Sequence, residues 1–251
     1  MIQLKWFPPS WVQISTRKAR MYIDPSYLKT YYVKHPTVIE YSTWPDPVDG
    51  LPEPLEPANI ILVTHHHRDH LKKVTVSRLR GPGTVVFGPR TCSKELGRDF
   101  TVVGEGDNFE QTDFSVKAVP AYNTEEGNST KKNHKPGKGL GYLVTVGGVV
   151  LYHAGDTDLI PEMSSLGRVD VALLPIGGTY TMNVAEAVRA VTTIKPKLVI
   201  PIHHLSADPG EFCRLVHDAP VTKAIIPRIG EPIKLECEIE NRCSTAAALS
   251  G

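Results

Sequence analysis

No Cys-x-x-Cys pair occurs in this 251-residue sequence, whose four cysteines stand apart at 92, 213, 237 and 243. That spacing argues against a zinc ribbon or a dithiol redox motif, and it suits free thiols in a reducing cytoplasm. No apolar run approaches the ~18 residues of a membrane span, and no charged-then-apolar leader is visible. Excess charge is also missing: 28 Lys+Arg stand against 27 Asp+Glu, a formal net charge of +1. So even a balance gives no global field to attract nucleic acid or an anionic membrane. Internal repeats of fixed short period are absent, which removes solenoids and propellers. The expected partner is a small-molecule substrate, with no nucleic acid and no membrane, in the cytoplasm. A homo-oligomer stays open.

What is present is ordinary for a globular chain: 41% hydrophobic and 22% charged residues. A chain of this size can bury a large core without disulfides. Short β-prone runs open it at Ile2–Phe7, Trp11–Thr16 and Arg20–Ile23, and Asp24-Pro25 ends the third. Prolines then cluster between Pro36 and Pro57, which predicts an irregular excursion over residues 34–57. Asn59–Val63 reads as a buried strand, followed by a short helix over Leu71–Leu79, a strand at Thr84–Phe87 and a helix at Thr91–Leu96. Strands are expected at Asn108–Glu110 and Phe114–Val119, then a long polar loop over Tyr122–Gly139. Gly147-Gly148 between two apolar runs signals a hairpin.

In the last third, Val169–Leu174 and Leu198–Ile202 read as buried strands. Asn183-Val184-Ala185-Glu186 forms a capping-box pattern ahead of a helix reaching Ile194. Asp208-Pro209 opens a helix through His217. Lys223–Ile226 and Ile233–Cys237 are expected to be strands, and 244–251 a frayed tail. Strands in both halves with covering helices predict one domain over 1–251, of α/β class, with two sheets packed face to face and helices outside.

Chemistry concentrates at three strand ends. In His65-x-His67-x-Asp69-His70, four potential metal ligands sit within six residues, just after a core strand. Imidazole nitrogen and carboxylate oxygen suit zinc, manganese, iron or nickel. If the chain stays extended through His67, then His65 and His67 face one side and can share one ion. A turn at Arg68 would present Asp69 and His70 to a second. The run Tyr152-His153-Ala154-Gly155-Asp156-Thr157 ends another strand with a carboxylate able to bridge two cations, although taken alone it reads slightly better as an ordinary helix cap before Leu159–Leu166. Ile200-Pro201-Ile202-His203-His204 ends a third strand. Neighbours on a strand point apart, so one of the two histidines faces the site and the role of His204 stays open.

In this order and spacing, the three segments resemble the metallo-β-lactamase superfamily. Val119-Pro120-Ala121-Tyr122-Asn123, Gly139-Leu140-Gly141-Tyr142, Tyr152–Thr157 and Pro175–Met182 are similar to its ascorbate-6-phosphate lactonase-like branch. The resemblance implies an αββα sandwich of two mixed β-sheets with helices on the outer faces. It also implies two divalent ions, zinc first. His65 and His67 would bind one, Asp69, His70 and His203 the other, and Asp156 would bridge them. Where many members supply a further His to the first ion, this chain has Asn123, and His134 lies in the following loop. His134 is favoured as the stand-in, because Asn is a poor zinc ligand although its carbonyl can serve a harder ion. If neither reaches the site, the first ion is weakly held and a mononuclear centre is expected.

The implied activity is metal-dependent hydrolysis, with a metal-bound hydroxide opening an ester, lactone or phosphoester bond. Asp69 and Asp156 would be its catalytic carboxylates. Lys131, Lys132, Lys135 and Lys138 lie in the flanking loop and suit either an anionic substrate group or plain solvation. Alternatives are a nuclease or phosphodiesterase, and a non-catalytic metal- or ligand-binding module with a decayed site.

Overall fold

The computed structural model describes residues 1–26, 56–217 and 222–240. The proline-rich segment 34–57, apart from Glu56 and Pro57, lies outside the described residues, as do Cys243 and the tail 244–251.

Fourteen strands form two sheets among the described residues. The first contains β1 (Gln3–Phe7), β2 (Trp11–Ser15), β3 (Arg20–Ile23), β4 (Ala58–Leu62), β5 (Arg80–Gly88), β6 (Thr101–Val102) and β14 (Ile233–Lys234), in the order β14-β1-β2-β3-β4-β5-β6. The second contains β7 (Asn108–Gln111), β8 (Phe114–Ala121), β9 (Gly139–Val146), β10 (Val149–His153), β11 (Val171–Pro175), β12 (Leu198–Ile202) and β13 (Lys223–Ala224), in the order β13-β12-β11-β10-β9-β8-β7. Each sheet is mixed. Strands β3 to β6 run parallel, as do β10 to β13, and the remaining pairs are antiparallel.

The apolar runs are continuous because the central strands are buried on both faces. In β4, Ile60 and Leu62 enter the core between the sheets, while Ile61 packs outward with Leu71, Val76 and Leu79. Those residues belong to, or lead into, helix α1 (Lys73–Leu79). In β11, Val171 and Leu173 face the inner core. Ala172 and Leu174 face α3 (Val184–Ile194) and α4 (Pro209–His217). The short α2 (Ser93–Leu96) lies on the first sheet's outer side through Leu96. This two-residue alternation builds the four-layer αββα sandwich. Gly147 and Gly148 both take positive φ, 54° and 82°, giving the tight β9–β10 turn that the dipeptide signals.

Several boundaries differ from expectation. The 71–79 helix begins only at Lys73. Instead of a strand through Cys237, β14 stops at Lys234 and residues 235–240 are helical. That turn buries Leu235 completely and lets the Glu236 carboxylate accept from the Ile2 N–H at 2.8 and 2.9 Å. The segment 159–166 is extended and then a single 3-10 turn, Pro161–Ser165, so Asp156 caps no helix. Among the described residues, no helix is long and apolar enough to cross a membrane.

Candidate metal centre

The C-terminal ends of β4, β8, β10 and β12 meet at one edge of the sandwich. Two bonds pin the sheets together there: Leu140 N–H to Thr64 O at 2.9 Å, and Tyr142 O–H to Val63 O at 2.7 Å. Gly155 fits this closure with φ +66°. A Cβ on it would lie 2.7 Å from Leu140 O of the neighbouring strand and 3.3 Å from Thr64 Cβ of the facing sheet, so a side chain would crowd the closure.

After β4 the backbone does not stay extended. It bends from Thr64 and turns over residues 68–70, with His70 and Leu71 N–H donating to His67 O. The outcome still places two donors side by side: His65 Nε2 and His67 Nδ1 are 3.0 Å apart. His134 Nε2 joins them, 3.1 Å from His67 Nδ1. The loop 122–138 therefore folds back onto the edge. Asn123 sits behind His134 rather than in the donor group. Its Oδ1 accepts the His134 N–H at 2.9 Å and its Nδ2 donates to Tyr180 O at 2.9 Å.

A second group lies alongside, formed by Asp69, His70, Asp156 and His203. His203 Nε2 is 3.3 Å from Asp69 Oδ2 and 3.4 Å from Asp156 Oδ2. His70 Nε2 is 3.2 Å from Asp156 Oδ1. Asp156 also faces the first group, its Oδ2 3.4 Å from His134 Nε2 and 3.9 Å from His65 Nε2. Thus all seven candidate residues converge, drawn from both sheets, with one carboxylate between the two groups.

Three other described histidines face elsewhere. His66 is exposed. His204 stacks on Trp6 with ring centroids 5.2 Å apart and bonds Pro201 O at 2.7 Å. His153 bonds Ser10 O at 2.9 Å. Both are buried packing groups. His203 itself adopts a left-handed backbone, φ 48°, held by its N–H to Pro9 O at 2.7 Å.

Asp24 belongs to this centre, although its sequence context shows only a strand end. Fully buried, it contacts His70 Nδ1 at 2.7 Å through Oδ2. It also accepts from Thr64 N–H at 2.7 Å and Thr64 O–H at 2.6 Å. An imidazole whose far nitrogen binds a carboxylate has a fixed orientation and a more basic near nitrogen. The sequence signal was faint: an acidic residue right after an apolar strand, 46 positions from its partner.

Electrostatics separates the groups. Burial and the neighbouring imidazoles of His70, His134 and His67 hold His65 well below its ordinary value, while burial followed by His134 takes His67 down to about 4. Burial lowers His134 too, against the opposing pull of Asp156. At His70 and His203 burial also opposes the charge, but nearby carboxylates, Asp156 foremost, outweigh it and raise both. Burial works against ionisation of Asp69 and Asp156, yet surrounding histidines hold both carboxyls far below the usual range. The first group therefore presents neutral imidazoles, the state a metal ligand needs, whereas His70 and His203 would each give up a proton to an incoming ion.

The donor set fits divalent ions. Zinc–nitrogen bonds of ~2.0–2.1 Å at tetrahedral angles set nitrogens roughly 3.3 Å apart. The first group's separations of 3.0 and 3.1 Å are close to that. In the second group, His70 Nε2 and Asp156 Oδ1 are buried and, although 3.2 Å apart, make no well-directed hydrogen bond to each other or to any other described residue. Such orphaned atoms are costly unless something else satisfies them.

This architecture and its seven-residue centre define a metallo-hydrolase sandwich, and comparison with known proteins agrees. The Beta-lactamase superfamily domain matches residues 3–203. A UPF0173 metal-dependent hydrolase of Pyrococcus horikoshii is 36% identical over 198 residues, covering 73% of this chain and 84% of its own. A homologue of the same description from Staphylothermus marinus is 38% identical over 183 residues, covering 68% and 75%. Among solved structures, a Parabacteroides distasonis protein assigned as a metal-dependent hydrolase has a TM-score of 0.74 at 28% identity, covering 91% of this chain and 93% of that one. The chain belongs to the metallo-β-lactamase superfamily and, within it, to the UPF0173 metal-dependent hydrolase family.

Proposed function

We propose that this protein is a dinuclear metal-dependent hydrolase that opens an ester, lactone or phosphoester bond of a small molecule in the cytoplasm. The observation that carries the reading is Asp156, whose carboxylate lies within reach of both groups, 3.2 Å from His70 and 3.4 Å from His203 of one and 3.4 Å from His134 of the other. His65, His67 and His134 would hold one ion, and Asp69, His70 and His203 the other, with Asp156 shared. Divalent ions there would supply Lewis acidity and bring the pKa of water towards neutral.

The chain's own groups complete the chemistry. Asp69 keeps 29% of its side chain exposed, whereas Asp156 is sealed at 3%. Asp69 is therefore the carboxylate positioned to orient attacking water and take its proton. Three imidazoles in one group favour zinc, while the carboxylate-richer second group also suits manganese, iron or nickel. The segments similar to the ascorbate-6-phosphate lactonase-like branch point to a lactone as the first substrate to try. Protein loaded separately with zinc and with manganese is to be tested on lactones, phosphodiesters and β-lactams. The expected result is turnover of a lactone or ester that chelator removes and metal restores. Full metal loading without turnover on any of them would favour a non-catalytic metal-binding module instead.

A further inference from the structure

The loop that delivers His134 is tied down at a point outside the donor groups. Asp158, fully buried, lies two residues beyond Asp156. Its Oδ2 accepts from Thr124 N–H at 3.0 Å and Ser129 O–H at 2.9 Å, and pairs with Lys132 Nζ at 3.1 Å. Lys132 Nζ also donates to Gly127 O at 2.6 Å and Ser129 Oγ at 3.0 Å. The loop wraps so closely that a Cβ on Gly127 would sit 2.1 Å from Asp158 Oδ2.

Further bonds continue this seam towards His134. Asn128 N–H donates to Glu186 at 2.9 Å, Thr130 N–H to Gly178 O at 3.1 Å and Lys131 N–H to Thr179 O at 2.7 Å. Asn123 then closes the loop across its base, with its N–H on His134 O at 2.7 Å. All these bonds are protein to protein, so the loop has a framework of its own. Lys132 is consequently no substrate-binding cation: it is spent on the loop's interior.

We propose that Asp158, acting through Lys132 and Ser129, is a positioning residue that presents His134 to the first donor group and so sets that subsite's affinity for its ion. The inference rests on the metal-centre reading above. A buried carboxylate that loses its cation is left uncompensated, so the loop should loosen when the pair is broken. The same strand end would thus carry both the shared ligand, Asp156, and the anchor for the loop-borne ligand. One ion's affinity would respond to the anchor and the other's would not.

The test compares wild type with Lys132→Met, Lys132→Arg and Asp158→Asn. Zinc alone is titrated, and amide hydrogen exchange over residues 124–135 is followed in zinc-free and zinc-loaded protein. Lys132→Met strands the buried carboxylate, whereas Asp158→Asn removes its charge, so Asp158→Asn tests the same link where Lys132→Met does not fold. Expected for Lys132→Met is faster loop exchange and ~10–100-fold weaker binding of one zinc, the range seen when an outer partner of a ligand is removed. The other zinc should bind as before, and Lys132→Arg should restore both properties. A loosened loop with both affinities unchanged overturns the inference, as does equal weakening of both ions, the mark of general destabilisation. Wild-type protein that binds no zinc overturns the metal reading itself. Two tightly bound ions in wild type and in Lys132→Met overturn only the role of Asp158.

Discussion

Each histidine of the centre is only as good a ligand as the group behind it. Asp24 is that group for His70, and its full burial makes the contact selective: the carboxylate has no water to turn to. Replacing it with Asn keeps an oxygen for the Thr64 N–H but removes the charge. Asp24→Asn is expected to weaken the second subsite's ion ~10-fold or more and leave the first unaffected. Calorimetric zinc titration checks this, and an unchanged second binding constant would remove Asp24 from the centre. The residues gathered at the edge were mostly legible in sequence because three short segments carry them. His65, His67, Asp69 and His70 share one turn, and Asp156 and His203 each end a buried strand. The sequence pointed to His134 over Asn123 for the remaining ligand but left the choice open. Both lie in one polar loop, and only its fold-back shows that Asn123 holds the His134 backbone while His134 turns its ring to the site. Asp24 left only a faint signal for a similar reason, since an acidic residue at a strand end does not by itself point to a histidine 46 positions away.

Among the elements, α3 shows how a familiar pattern can be used for something else. The Asn183 side chain accepts the Glu186 N–H at 2.9 Å, as the capping pattern predicts. Glu186 does not reciprocate. It is buried at 1% exposure and accepts from Asn128 N–H at 2.9 Å and Leu159 N–H at 3.3 Å, two amides of packed loops. Long-range amides without other acceptors outcompete the local bond, a preference that only tertiary structure reveals. Asn183→Ala should cost ~1 kcal/mol of stability, as lost N-caps typically do. For a domain of this size that is a drop of roughly 2–4 °C in melting temperature. Turnover per folded, metal-saturated enzyme should be unchanged, and Asn183→Asp should recover the stability. A variant that melts normally but has lost activity would show that Asn183 serves the reaction rather than the helix. The β-strands were easier to locate than their ends. Apolar runs mark β4, β11 and β12 without ambiguity, whereas α1 and β14 are trimmed by contacts the sequence does not display.

At the scale of the molecule, the centre lies where the two sheets close on each other. The first sheet sends His65, His67, Asp69 and His70 from the end of β4. The second sends His134, Asp156 and His203 from the ends of β8, β10 and β12. The sandwich could be anticipated from strands apolar on both faces. The pairing of β14 with β1 could not, because it joins opposite ends of the described chain, Gln3 to Lys234. Geometry of this kind makes Asp156 the one ligand that both ions would share, so its loss should be felt by both. The measurement that tests this most directly is zinc titration of metal-free wild-type protein beside Asp156→Ala, at matched folding. Two ions per wild-type chain, with both binding constants weakened in the variant, is the predicted result. A single ion in wild type, or two ions that Asp156→Ala leaves unchanged, would contradict it.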